Sequence, residues 1–89
     1  MRIARRFVIS GRVQGIGFRW FAQNAAFREG VVGWVTNLDD GRIETFVEGE
    51  EESVTRVERA LRAGPPGARV DHISVVEDQP GNLKGFHIR

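Results

Sequence analysis

The sequence predicts an α+β sandwich in which an antiparallel sheet carries two helices on one face. Three observations lead there. Short segments rich in β-branched and aromatic residues, some alternating apolar and polar at period two, read as strands. Two longer segments carry apolar residues at three- and four-residue spacing, the mark of amphipathic helices. The segments follow one another as strand, helix, strand, strand, helix, strand, with a short strand at the C-terminal end. Each helix has one apolar stripe, so both pack on the same face of one sheet. Right-handed crossovers then insert one strand between each parallel pair. This is the split β-α-β, or ferredoxin-like, arrangement. The sheet's second face is expected to be open to solvent or a partner, and 89 residues form one domain, 1–89.

Residues 2–10 form the first strand, with Ile3, Phe7 and Ile9 on one face and Arg6 and Ser10 on the other. Arg5 interrupts the apolar face and is expected near an edge or end. A glycine loop, 11–17, ends this strand. Residues 18–29 form a helix whose stripe is Phe18, Phe21, Ala22, Ala25 and Ala26, with Gly30 placed to stop it. Residues 31–37 form the second strand, Asp40-Gly41 turns the chain, and residues 42–48 form the third. There Ile43, Thr45 and Val47 face one way and Arg42, Glu44 and Glu48 the other. The second helix spans 51–63, with Val54, Val57 and Leu61 on its stripe. Glu50, Glu51 and Glu52 crowd its positive end and Arg59 and Arg62 its negative end, as the helix dipole favours. Gly64-Pro65-Pro66 stops it. Residues 69–76 form the fourth strand and 85–89 a short last one.

Composition narrows the function. The chain has no cysteine, which excludes disulfides, thiolate catalysis and Cys-based metal sites. A net charge of +1 is not that of a general polyanion binder. The basic residues are almost all arginines, interleaved with acids, and fit base composition or a heat-adapted lineage better than spread-out phosphate recognition. The N-terminal stretch has no apolar run of signal-peptide length, and no segment approaches the ~20 apolar residues of a membrane span. A cytoplasmic monomer is expected.

The most informative stretch is "GRVQGIGFR", residues 11–19. The loop leaves the C-terminal end of the first strand, at the sheet edge where Asn37 closes the second. Those strands lie about 9.6 Å apart with one strand between them, so Arg19 and Asn37 can face a common pocket. Glycines let successive N–H groups point inward, and such a concave set binds an anion. The helix that follows adds unpaired N–H groups and a positive dipole end. Arg19 adds a guanidinium that grips two phosphate oxygens. The spacing Gly-x-x-x-Gly-x-Gly is neither a P-loop nor a dinucleotide fingerprint. Residue types alone thus leave a tight turn or a small-anion site.

Together, "GRVQGIGFR", "GWVTNLDDGRIE" and the closing "GFHIR" resemble the acylphosphatase family over nearly the whole chain. The resemblance implies a ferredoxin-like enzyme that hydrolyses the carboxyl–phosphate bond of acyl phosphates without metal or cofactor. It implies that Arg19 and Asn37 are catalytic. It also implies that the phosphate lies in a loop from Gly11 to Gly17, with backbone donors at Gln14, Gly15, Ile16, Gly17 and Phe18. Ile16 stands where valine is commoner, and Arg89 stands where some members carry an aromatic residue. Neither touches the implied chemistry.

Other residues read more plainly. Asp39 and Asp40 could be a base or a Mg²⁺ site, but Asp-Asp-Gly is turn chemistry. His72 and His87 read as surface or edge residues, and Trp20, Trp34 and the phenylalanines as core or sheet-face packing. Two alternatives compete with the enzyme: a phosphate or phosphometabolite-binding module without turnover, and an RNA-binding domain of the same fold. The latter would draw on Arg2, Arg5, Arg6 and Arg12 and on Phe7 and Phe46, but the strands carry no RNP-like motif. A third, a piece of a larger carbamoyl-transfer enzyme, fits a stand-alone chain poorly.

Overall fold

A computed structural model describes every residue from Met1 to Arg89. The elements are β1 (Arg2–Arg12), α1 (Phe18–Glu29), β2 (Val32–Asn37), β3 (Ile43–Glu50), α2 (Glu51–Ala63), β4 (Arg69–Asp78) and β5 (Phe86–Ile88). They form one sheet in the order β4-β1-β3-β2-β5. Both helices have the predicted bounds because their stops are local. Gly30 is left-handed after α1 and its N–H returns to the last turn, while Gly64 and the prolines end α2.

The sheet is mixed rather than wholly antiparallel. β1, β3, β2 and β4 pair antiparallel, but β5 runs parallel to β2. β4 ends at the sheet end where β2 begins. The connection 79–85 then carries the chain to the far side of β2, and from there it can run only in β2's direction. A tight hairpin would have forced the opposite sense.

The core lies between the sheet and the helices. Phe7 and Ile9 of β1, Val35 of β2, and Ile43 and Val47 of β3 meet Phe18, Ala22 and Ala26 of α1 and Val54, Val57 and Leu61 of α2, all buried. Alanines on α1 let its axis approach the sheet closely. Phe21 is only half-buried and packs edge-on against Phe18, with centroids 5.8 Å apart. Trp20 and Phe27 are exposed on α1, outside the core predicted for the aromatics. The core sets a stability prediction. Leu61→Ala is expected to destabilise the fold by about 2–5 kcal/mol, the range for emptying a buried leucine site, as measured by urea unfolding.

Arg5 sits mid-strand in a central strand, not at an edge. Its guanidinium reaches Glu58 and Thr55 of α2 and Glu77 of β4 (3.3, 3.3 and 2.9 Å), so partners from two elements satisfy a charge on an otherwise apolar face. The sheet's second face is less open than expected. Glu48 is fully buried there, held by Arg2 through two contacts (2.8 and 3.1 Å) and by the N–H of Gly81 (2.7 Å). The 79–85 connection therefore crosses this face. Phe46 stacks beneath Trp34, and the Arg89 guanidinium lies 4.4 Å from the Trp34 ring centre.

The same contacts occupy three of the four arginines that an RNA-binding face would draw on. Arg2, Arg5 and Arg6 are each tied to carboxylates. Phe7 is buried under the helices, and Phe46 is buried on the opposite face against Trp34.

Candidate active site

β1 continues past its predicted end, and a bulge at Ser10/Gly11 shifts its register against β4. Gly11 therefore belongs to the strand and not to the cradle. Its φ is 129°, and a Cβ there would overlap the Arg69 carbonyl oxygen and the Asp71 backbone nitrogen. Glycine is needed at this position for the close approach of β4. Val13, buried, then anchors the loop in the core. Gln14 ties it sideways: its Nε2 donates to the carbonyls of Leu38 (2.8 Å) and Arg42 (3.0 Å), bridging the β2–β3 turn. The loop is thus braced against the segment that follows Asn37.

Gly15 and Gly17 both have φ of 79°, and a Cβ on either would meet nothing within 4 Å. Alternating left-handed residues turn successive N–H groups to one side of a loop. Gly17 is also the N-cap of α1. No side chain caps this end and no acidic residue lies in the first turn. The contrast with α2 is direct, since Glu51 and Glu52 occupy that helix's first turn. The positive end of α1 is left free for an anion from outside.

These roles predict different outcomes for the two glycines. Gly11→Ala is expected to cost about 3 kcal/mol or more of stability through backbone strain and overlap. Gly15→Ala is expected to cost about 1–2 kcal/mol through its left-handed backbone alone, while weakening inorganic phosphate binding. Urea unfolding and phosphate titration of the two variants check this.

Loop, helix start and strand end enclose a cavity of about 200 Å³ that contains both Arg19 and Asn37. Arg19 donates from Nη1 to the Arg89 carbonyl (3.0 Å). That contact leaves most of its donors uncommitted. Asn37 is the last residue of β2, and its Oδ1 is buried without a hydrogen-bond partner. A buried acceptor left unpaired costs about 1–3 kcal/mol, so this oxygen at the wall of a cavity calls for an explanation.

Of the cradle residues expected from the sequence, Gln14, Gly15, Gly17 and Phe18 line the cavity with Arg19, and Ile16 does not. Val13 of the expected loop also lines it, and two further lining residues, Trp20 and Ile88, escaped the sequence reading. Trp20 lies off the helix stripe and Ile88 in the least patterned strand. The only available signal was the adjacency of Trp20 to Arg19.

No carboxylate or imidazole lines the cavity. Asp40 does turn chemistry: its carboxylate accepts the backbone N–H of Arg42 (3.1 Å) and pairs with that residue's guanidinium. The backbone N–H of Arg42 first, then its guanidinium hydrogen bond and charge, hold the Asp40 carboxyl below the ordinary value against a smaller opposing effect of burial. His72 is exposed on β4, and His87 contacts the Lys84 carbonyl. No three His, Asp or Glu side chains converge to hold a metal ion, and no helix is long and apolar enough to cross a membrane.

Comparisons with known proteins bear on the family and the fold. The sequence profile of the acylphosphatase family matches residues 5–88. An acylphosphatase of Anaeromyxobacter dehalogenans is 51% identical over 99% of this chain and 96% of its own. The crystal structure of acylphosphatase from Bacillus subtilis superposes with a TM-score of 0.95 at 39% identity, covering 98% of both chains. An acylphosphatase structure from Coxiella burnetii gives the same score at 31% identity, covering 99% of this chain and 93% of that one.

Proposed function

Because the chain belongs to the acylphosphatase family and hydrolyses acyl phosphates, we propose that the cavity between the 13–17 loop and the end of β2 performs this reaction, with Arg19 and Asn37 as its catalytic residues. The observation that carries the assignment is the meeting, in one cavity, of an arginine at an uncapped helix start and an asparagine with an unpaired buried oxygen.

The phosphoryl group sits in the loop. Backbone N–H groups from Gln14 to Phe18 and the Arg19 guanidinium hold its three outer oxygens, where negative charge is stabilised in the transition state. The Asn37 carboxamide hydrogen-bonds a water and points the water's oxygen at phosphorus, in line with the leaving carboxylate. Asn37 neither gains nor loses a proton; its contribution is position. The water oxygen bonds to phosphorus as the bond from phosphorus to the carboxyl oxygen breaks. The carboxylate departs with that electron pair and needs no proton. Both protons of the water remain on the product, one transferred to a phosphoryl oxygen, so the dianionic substrate and water give a carboxylate and H₂PO₄⁻. The chain works in this reading as a cytoplasmic monomer, and nothing in the step requires a metal or cofactor.

Benzoyl phosphate incubated with the wild-type protein and a chelator is expected to be consumed, while Arg19→Ala leaves it intact. A wild type that binds phosphate but leaves benzoyl phosphate unchanged would identify a binding module instead. The pH–rate profile provides a second check. With no enzyme acid or base in the cavity, kcat is expected to show no limb belonging to a carboxylate or histidine of the protein. A limb abolished by substituting one of them would overturn proton transfer to the substrate's own phosphate.

A further inference from the structure

Beside Arg19 the chain presents Trp20 with 65% of its surface exposed. The two aromatic pairs of the fold, Phe18–Phe21 and Trp34–Phe46, leave it out. Ile88 of β5 is 40% exposed and lines the same cavity. An isolated exposed apolar residue needs no explanation, but a large apolar surface bordering a polar cavity points to a ligand.

The chemistry of the cavity says which part of a ligand this surface meets. The cavity, about 200 Å³, falls below the roughly 300–1,000 Å³ of pockets that enclose drug-sized ligands. With the phosphoryl group in the loop, little room remains inside, and the organic part of the substrate must come to rest at the rim. Gln14, Arg19 and Asn37 are the polar side chains of the lining, and each already has a task. Trp20 is the largest apolar group left. An indole face takes a flat apolar group by offset stacking, which contributes beyond the area buried.

We propose that Trp20, backed by Ile88, forms the acyl subsite and selects acyl phosphates with a flat or extended apolar acyl group over acetyl phosphate. The proposal rests on the placement of phosphate in the loop cradle. Trp20 is a specificity residue and leaves the reacting atoms to Arg19 and Asn37.

The test compares benzoyl phosphate with acetyl phosphate on wild type, Trp20→Ala and Trp20→Phe. The exposure of Trp20 means that both variants keep the wild-type unfolding midpoint. Trp20→Ala is expected to lower kcat/KM for benzoyl phosphate by about tenfold, the loss of one stacked aromatic contact. For acetyl phosphate the fall stays below about twofold, since a methyl group makes no stacked contact. Trp20→Phe keeps most of the discrimination, and the inhibition constant of inorganic phosphate stays unchanged in both variants. Equal falls on the two substrates, or an unchanged ratio between them, would overturn the assignment, as would a loss of phosphate inhibition.

Binding of phenylphosphonate and methylphosphonate separates this proposal from the hydrolytic one, because neither can be turned over. Wild type is expected to bind the phenyl compound more tightly by about the same factor, with the preference lost in Trp20→Ala. That result would support the subsite even if both acyl phosphates went unhydrolysed. Equal phosphonate affinities in wild type would overturn the subsite even if both were consumed.

Discussion

Arg19→Ala is expected to lower kcat for benzoyl phosphate by about a thousandfold or more, near 4 kcal/mol of transition-state stabilisation, and to weaken inhibition by inorganic phosphate. The guanidinium is the only charged group lining the cavity, so nothing nearby can replace it. It holds the phosphoryl oxygens in ground and transition states alike, and both kcat and phosphate affinity therefore suffer. Arg19→Lys is expected to recover little, because an ammonium cannot span two oxygens in one plane. The fold should be almost untouched. Arg19 donates one exposed hydrogen bond, to the Arg89 carbonyl, and unfolding in urea should move only slightly. A variant that retained a tenth of wild-type activity would remove Arg19 from the mechanism.

Asn37→Ala is expected to separate what Arg19→Ala joins. Loss of water positioning should lower kcat by about a hundredfold, the scale associated with a misplaced reactant. Inorganic phosphate should bind as before, since the loop and Arg19 are intact. Stability should hold or rise, because the substitution deletes a buried oxygen that has no partner; leaving such a group unpaired costs about 1–3 kcal/mol. A variant both less active and at least as stable as wild type excludes unfolding as the cause. Parallel losses of phosphate affinity in the two variants would contradict the division of work between holding the phosphate and placing the water.

Much of this was legible in the sequence, for a reason that differs from element to element. The bounds of α1 and α2 depend on Gly30 and on Gly64-Pro65, which act on their immediate neighbours. The faces of β1 and β3 depend on alternation within one strand. The meeting of Arg19 with Asn37 followed from topology, since parallel β1 and β2 deliver their ends to one sheet edge. All of these are local patterns or consequences of element order.

What escaped the sequence depends on which distant segment lies opposite. Arg5 looked like a strand end until Glu58 and Glu77 arrived from α2 and β4. Gly11 looked like cradle until β4 came up against it. The direction of β5, the burial of Glu48 under the 79–85 connection and the exposure of Trp20 beside the cavity likewise appear only once the chain is closed. By itself the sequence determined the fold class, both helices and the pair Arg19 and Asn37. The tertiary structure alone decided which backbone lines the cavity and which apolar surface borders it, because a side chain's neighbours across the sheet are set by packing between segments that share no local pattern.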